Sequence, residues 1–204
     1  MKKIMFNELY GLQQATLDRR KNMTRRIALK EPVSDMNIGF DTATHQCLIC
    51  SGNRIVARSQ YAVGEVVAIA QSYAKLYFYE NLSPELRRVM SDMFKHRTAA
   101  WHNKMFVKAE LMPHHIKITN IRVEALCAIS DEDCLREGIY EVVPETITDN
   151  GVEVGELQGY SFQNAGRIYD TPYHAFKALI DKLNKRGTFE SNPIVFVYEY
   201  ELVD

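Results

Sequence analysis

The sequence predicts an α+β fold, a small and partly closed β-barrel with helical insertions. Short apolar strand patterns open and close the chain, near residues 4–6 and 194–202. A few helical patterns are interspersed among the strands, and no linker separates two self-contained patterns. Of 204 residues, 46% are hydrophobic and 25% charged, the composition of a globular chain with a real core.

The elements follow in order. After the first strand, Asn7 caps a helix that ends near Arg19-Arg20-Lys21, with Leu9, Leu12 and Leu17 supplying an apolar stripe. Residues 28 to 45 are mixed and polar, contain Pro32 and Gly39, and read as loop. A hairpin spans roughly residues 45 to 60 and turns at Ser51-Gly52-Asn53. Val66 to Ala70 is a short buried-strand pattern. Ser83-Pro84-Glu85 opens a helix with Leu86, Val89, Met90, Met93 and Phe94 at helical spacing, a stripe that reads as core. The single tryptophan falls in a loop, Trp101-His102-Asn103-Lys104, before a strand from Ile116 to Leu126. Ser130-Asp131-Glu132-Asp133 resembles a capping box, and Gly138 suits the left-handed residue that ends a short helix. Residues 144 to 169 carry four glycines and little periodicity, and read as a long flexible loop. Thr171-Pro172 opens the last helix, with Phe176, Leu179, Ile180 and Leu183 inward and Gly187 closing it.

The formal net charge is -1 and the pI near 6.6. No whole-molecule basic field exists, so strong binding to double-stranded DNA is not expected and any nucleic-acid contact needs a local patch. The opening MKKIMFNELYG has no long apolar run and no stretch approaches a membrane span, so a cytoplasmic protein is expected. Cys47 and Cys50 form one CxxC, yet no second pair or spaced histidine pair accompanies it; they read as strand residues, and no metal or cofactor is expected.

The densest polar cluster is Lys21-Asn22-Met23-Thr24-Arg25-Arg26, an amine, a hydroxyl and two guanidiniums within six residues. A helix-to-strand junction is where a scaffold presents side chains to a ligand. The plainer alternative is a solvated helix end whose cations complement the dipole.

Four pieces of the chain resemble the ASCH domains of the PUA-like superfamily of small β-barrels. They are RRKNMTRR, YAVGEVVAIAQSY, ITNIRVEALCAISDEDCLREGI and FKALIDKLNKRGTFESNPIVFVYEYEL, in the family's order and over about half of the chain. The resemblance implies a single domain over residues 1–204, with insertions near 28–58, 74–100 and 140–170. It implies an RNA- or modified-nucleoside-binding module, as in bacterial and phage relatives, with the ligand in a cleft beside the barrel.

One branch of the family hydrolyses N4-acetylcytidine with a lysine and a threonine in a KxxT motif and a glutamate in a later short helix. Here these positions are Lys21, Thr24 and Glu137. Many relatives carry an acid after the strand that follows the VGE turn; this chain has Gln71, which cannot take a proton.

Amide hydrolysis needs a nucleophile, a proton acceptor and a donor for the leaving amine. Thr24 supplies a hydroxyl. Lys21 serves as base only if burial or nearby cations such as Arg25 and Arg26 lower its pKa from about 10.4. Glu137 either relays a proton or, as an ion-pair partner, keeps Lys21 charged. If the chain continues as a strand, Arg26 shares the alternation parity of Thr24. Around them, Arg25, Arg26, Gln71, Tyr73, Trp101 and Lys104 are the ligand-binding candidates, Tyr73 and Trp101 as stacking surfaces or as core. A third reading is a protein-interaction module of phage origin, with the helix near residues 83 to 97 as its apolar face.

Overall fold

The computed structural model describes residues 1–77, 84–96, 99–149 and 152–203. The fold is mixed α and β. In chain order it runs β1 (Lys3–Ile4), α1 (Leu12–Leu17), β2 (Met23–Leu29), β3 (Met36–Asp41), β4 (Gln46–Ser51), β5 (Arg54–Arg58) and β6 (Val66–Ile69). Three helices follow, α2 (Tyr73–Leu76), α3 (Pro84–Lys95) and α4 (Ala99–His102). The remainder is β7 (His115–Ala125), α5 (Asp131–Arg136), β8 (Tyr140–Asp149), β9 (Val152–Ser161), α6 (Pro172–Leu183) and β10 (Ile194–Leu202).

The chain forms two compact units. Unit 1 comprises Met1–Phe6, Glu65–Lys117 and Leu202–Asp204. Its strands run β1, β6 and the start of β7, with β1 parallel to β6 and β6 antiparallel to β7. Its core packs Ala68, Ala70, Tyr73, Leu76, Met90, Trp101, Val107 and Met112. The tryptophan segment is helical rather than loop, because Trp101 buries its ring in that core and Asn103 Oδ1 caps the next turn by accepting from the Met105 backbone N–H at 2.9 Å. On α3, Met90 is buried as expected, but Phe94 is exposed and rests against Trp101. The expected cap Ser83 and the Met93 side chain lie outside the described residues.

Unit 2 comprises Asn7–Gly64 and Ile118–Glu201. Its main strands lie in the order β7, β10, β2, and β10 pairs antiparallel with β2 so that Tyr198 faces Thr24 and Glu199 faces Met23. The opening helix is shorter than expected. Asn7 Oδ1 does accept from Tyr10 N–H at 3.0 Å, but this closes a turn; Gly11 then takes a left-handed φ of 71° before the helix begins. Leu9 is therefore exposed, and the buried face is Leu12, Gln13, Ala15 and Thr16.

Two segments expected as loop are strands. Met36–Asp41 pairs with β4 to make a three-stranded sheet, β3-β4-β5, around the anticipated hairpin. Tyr140–Asp149 and Val152–Ser161, which take up much of the expected loop, form the antiparallel ribbon of β8 and β9, where glycines and register shifts hide the period-2 pattern. Gly159 there is required: a Cβ would stand 2.4 Å from the Tyr169 carbonyl oxygen.

Where the local chemistry was explicit, it folds as written. Ser130 Oγ accepts from Asp133 N–H at 3.2 Å and Gly138 ends α5 with φ 106°. Such a cap is worth about 1 kcal/mol. Thr171 Oγ1 accepts from His174 N–H at 3.1 Å, Pro172 starts α6, and Ala175, Phe176, Leu179 and Ile180 turn inward. No helix among the described residues is long and apolar enough to cross a membrane.

Candidate functional site

Unit 2 brings Lys21, Glu137 and Arg25 together. Lys21 follows α1, its backbone N–H bonded to Ala15 O, and its stem runs past Gly138. A Cβ on Gly138 would lie 3.2 Å from Leu12 Cδ2 and 3.5 Å from Lys21 Cδ, so glycine leaves room for the stem as well as permitting the helix end. The Lys21 ammonium donates to Glu137 Oε2 at 2.7 Å, Glu137 O at 2.8 Å and Met23 O at 2.6 Å. Lys21 is 2% exposed and Glu137 5%.

Burial pulls the Lys21 pKa down from its ordinary value; Glu137 opposes that shift, and Arg26 and Arg25 add to it. The Met23 carbonyl that accepts from Lys21 leads directly into Thr24, which is itself buried. In β2, Met23 and Arg25 share one parity, Thr24 and Arg26 the other. The expected pairing of Thr24 with Arg26 on one face therefore holds in backbone terms, and Arg25 belongs to the opposite face. Opposite Thr24 on β10, Tyr198 gives its hydroxyl oxygen to Gln60 N–H at 2.8 Å. Two residues on, Tyr200 bonds Thr16 Oγ1 at 3.1 Å, and burial raises the phenol of both tyrosines above its usual range.

Arg25 is not presented to a ligand. Its Nη2 donates to Asp133 Oδ2 at 2.8 Å and Glu124 Oε2 at 3.1 Å, and its Nη1 to Glu137 Oε1 at 3.2 Å. The Glu137 carboxylate is thus held by Lys21 on one oxygen and Arg25 on the other. Beyond it, Arg122 Nη2 donates to Asp133 Oδ2 at 2.9 Å, and Arg136 Nη2 to Glu199 Oε2 at 3.0 Å. Lys21, Arg25, Arg122 and Arg136 face Glu137, Glu124, Asp133 and Glu199, so the cluster is neutral in its charged form. The spacing that could have revealed its outer part is the Arg122–Glu124 alternation on β7, which reads equally well as a solvated strand face.

Burial would raise the Asp133 carboxyl, but the Arg25 and Arg122 guanidiniums hold it below the ordinary value. A depressed folded-state pKa gives stability that is present above the unfolded value, about 3.9, and is lost as pH falls through the folded one. Acid unfolding below about pH 4 should therefore be shallower in Asp133→Asn than in wild type, read by circular dichroism against pH. Cys134, on the same helix, is no nucleophile: burial and then Asp131 push its thiol up to about 12.

The other candidates belong to unit 1. Tyr73 is fully buried and its hydroxyl oxygen accepts from Lys108 N–H at 2.9 Å; Trp101 is packed in the same core. Neither offers a face for stacking, because the apolar contact area of both rings is spent inside unit 1. Gln71 is buried, with its backbone N–H on Met112 Sδ at 3.3 Å, and Lys104 Nζ donates to the Phe6 carbonyl. Cys47 and Cys50 fall on opposite faces of β4, one buried and one half-buried, which does not suit a shared metal ion. No group of three or more metal-ligating side chains occurs among the described residues.

The chain matches no family model, no curated protein and no solved structure.

Proposed function

We propose that the chain is an ASCH-type module, a partly closed PUA-like barrel with insertions, that hydrolyses an acyl group from the exocyclic amine of a modified nucleoside such as N4-acetylcytidine. The observation that carries this reading is the buried 2.7 Å contact between Lys21 Nζ and Glu137 Oε2, made beside the peptide that leads into Thr24. Moving one proton from Lys21 to Glu137 across that contact converts two buried charges into a neutral amine and a neutral acid. Burial lowers the Lys21 pKa, the direction that a base at this position needs.

In the proposed reaction the neutral amine takes the Thr24 hydroxyl proton and the oxygen attacks the acyl carbonyl. The C–N bond then breaks, and the leaving exocyclic nitrogen takes a proton from Lys21. Water hydrolyses the resulting Thr24 ester, giving the free acid and restoring the hydroxyl. Arg26, half-buried on the Thr24 side of β2, is the cation for the substrate's polar edge.

Incubating the purified protein with N4-acetylcytidine should release cytidine and acetate. Thr24→Ala should keep its melting temperature and lose turnover by a factor of at least about 10². Turnover unchanged in Thr24→Ala would overturn the assignment of the nucleophile.

Binding of RNA or a modified nucleoside without turnover is the second reading. It is favoured by the three acceptors around Lys21 Nζ, which hold the ammonium charged, and salt-dependent retention of either ligand without cytidine release would support it. Among the described residues of the α3 stripe Phe94 is exposed, Leu86 and Val89 are half-buried and Met90 is buried, so the interaction-module reading rests on Phe94.

A further inference from the structure

β3 is built unlike a protected sheet edge. It is the outermost strand of the β3-β4-β5 sheet, with β4 its one neighbour among the described residues. Exposed edges are normally blunted by lysine, proline, a bulge or a very short strand. Here the strand reads MNIGFD, and its one charge, Asp41, is already ion-paired with Arg58 Nη1 at 3.2 Å. Its register with β4 runs without a shift from Met36↔Ser51 to Asp41↔Gln46.

Met36, Ile38 and Phe40 share one face. Opposite the last two on β4 are Ile49 and Cys47, both buried, whereas Ile38 is 56% exposed and Phe40 52%. The covered apolar layer therefore stops one strand short of the edge.

We propose that β3 pairs antiparallel with β3 of a second copy of this chain, with the two-fold axis at Gly39. In that register Ile38 of one copy opposes Phe40 of the other, twice over, extending the apolar layer of Ile49 and Cys47 across the junction. Like charges do not meet: Asp41 opposes Asn37, and Asp35 opposes Ala43. Gly39 opposes itself, so no side chain crowds the axis. The edge N–H and C=O groups of both copies exchange water for each other, as in any antiparallel ladder. A foreign apolar strand would fit the edge as well, but the pairing of Ile38 with Phe40 about a central glycine makes the sequence complementary to itself.

Sedimentation velocity of the full chain from low micromolar to roughly 100 μM should show monomer giving way to dimer, as fits a small interface. Ile38→Lys and Phe40→Asp should each weaken the dimer at least about tenfold with an unchanged melting temperature, since both side chains are half in solvent. Gly39→Cys is tolerated on the backbone, because its Cβ meets Leu48 Cβ at an ordinary 3.8 Å. It should give a reducible dimer above the level of the four native cysteines, because paired antiparallel Cα atoms lie about 4.5–5.5 Å apart, within disulfide reach. A chain that stays monomeric throughout, including one that instead captures a foreign strand, overturns the proposal. So does a dimer that ignores Ile38→Lys and is not trapped through position 39.

Discussion

Lys21→Met is expected to lower the unfolding free energy by about 3–5 kcal/mol, the cost of leaving a buried carboxylate without its ammonium. Glu137 is 5% exposed, so water cannot replace the lost partner without opening the junction between α1 and α5. Lys21 also serves two backbone carbonyls, of Met23 and of Glu137, and methionine leaves both without that donor. Adding Glu137→Leu to the first variant should recover a large part of the loss, because a matched apolar pair avoids the desolvation of both charges. Arg25 keeps Asp133 and Glu124 in that double variant, so it is not stranded. Urea unfolding curves read the effect. A double variant less stable than Lys21→Met alone would mean that the ion pair is a net source of stability, and that the desolvation cost of its two charges is smaller than their attraction.

Arg25→Leu is the second large effect. The guanidinium serves three carboxylates, of Glu124, Asp133 and Glu137, and its side chain is almost wholly buried. Removing it leaves an excess of buried negative charge, and a loss of about 3–5 kcal/mol is expected. Arg136 belongs to the same cluster but is partly exposed, and Arg136→Ala should change stability by only ~0–1 kcal/mol. The contrast separates depth in the cluster from membership of it. Equal losses in the two variants would show that burial is not what sets the energy.

The parts of the fold legible in the sequence are those with local chemistry. Ser130 and Gly138 bracket α5, Thr171 and Pro172 open α6, and the hairpin turn at Ser51-Gly52-Asn53 falls between β4 and β5. Residues 36 to 41 do alternate, Met36, Ile38 and Phe40 against Asn37, Gly39 and Asp41, but the run is short and lies within a mixed polar stretch holding Pro32 and Gly39, whose composition reads as loop. The β8-β9 ribbon is hidden because its bulges break the period of two. The first helix is over-extended by its spacing because Leu9 fits the stripe, while Gly11, in a left-handed conformation, stops the helix from including it.

The site is legible in one respect. Lys21 and Glu137, 116 residues apart, do meet, in a buried contact rather than the open cleft expected, and the link to Thr24 is the carbonyl of Met23 that precedes it. Arg25 is harder to place, because adjacent residues in a strand point to opposite faces, and whether a cation faces ligand or carboxylates depends on partners far along the chain. Glu124 and Asp133 are such partners, and no local spacing links them to Arg25. Tyr73 and Trp101 illustrate the opposite difficulty: an aromatic ring has the same sequence signature in a core as in a stacking platform.

The proposed reaction requires the Lys21–Glu137 pair to move a proton for chemistry at Thr24. Arginine keeps the positive charge at position 21 but has no accessible neutral form, so Lys21→Arg removes the proton exchange while retaining an ion pair. The deciding measurement is kcat/KM for N4-acetylcytidine in wild type and Lys21→Arg, with both proteins shown to be folded at the assay temperature. Proton exchange at this pair predicts release of cytidine by wild type and a fall of about 10²–10⁴ in the variant. Equal turnover by the two proteins would contradict it.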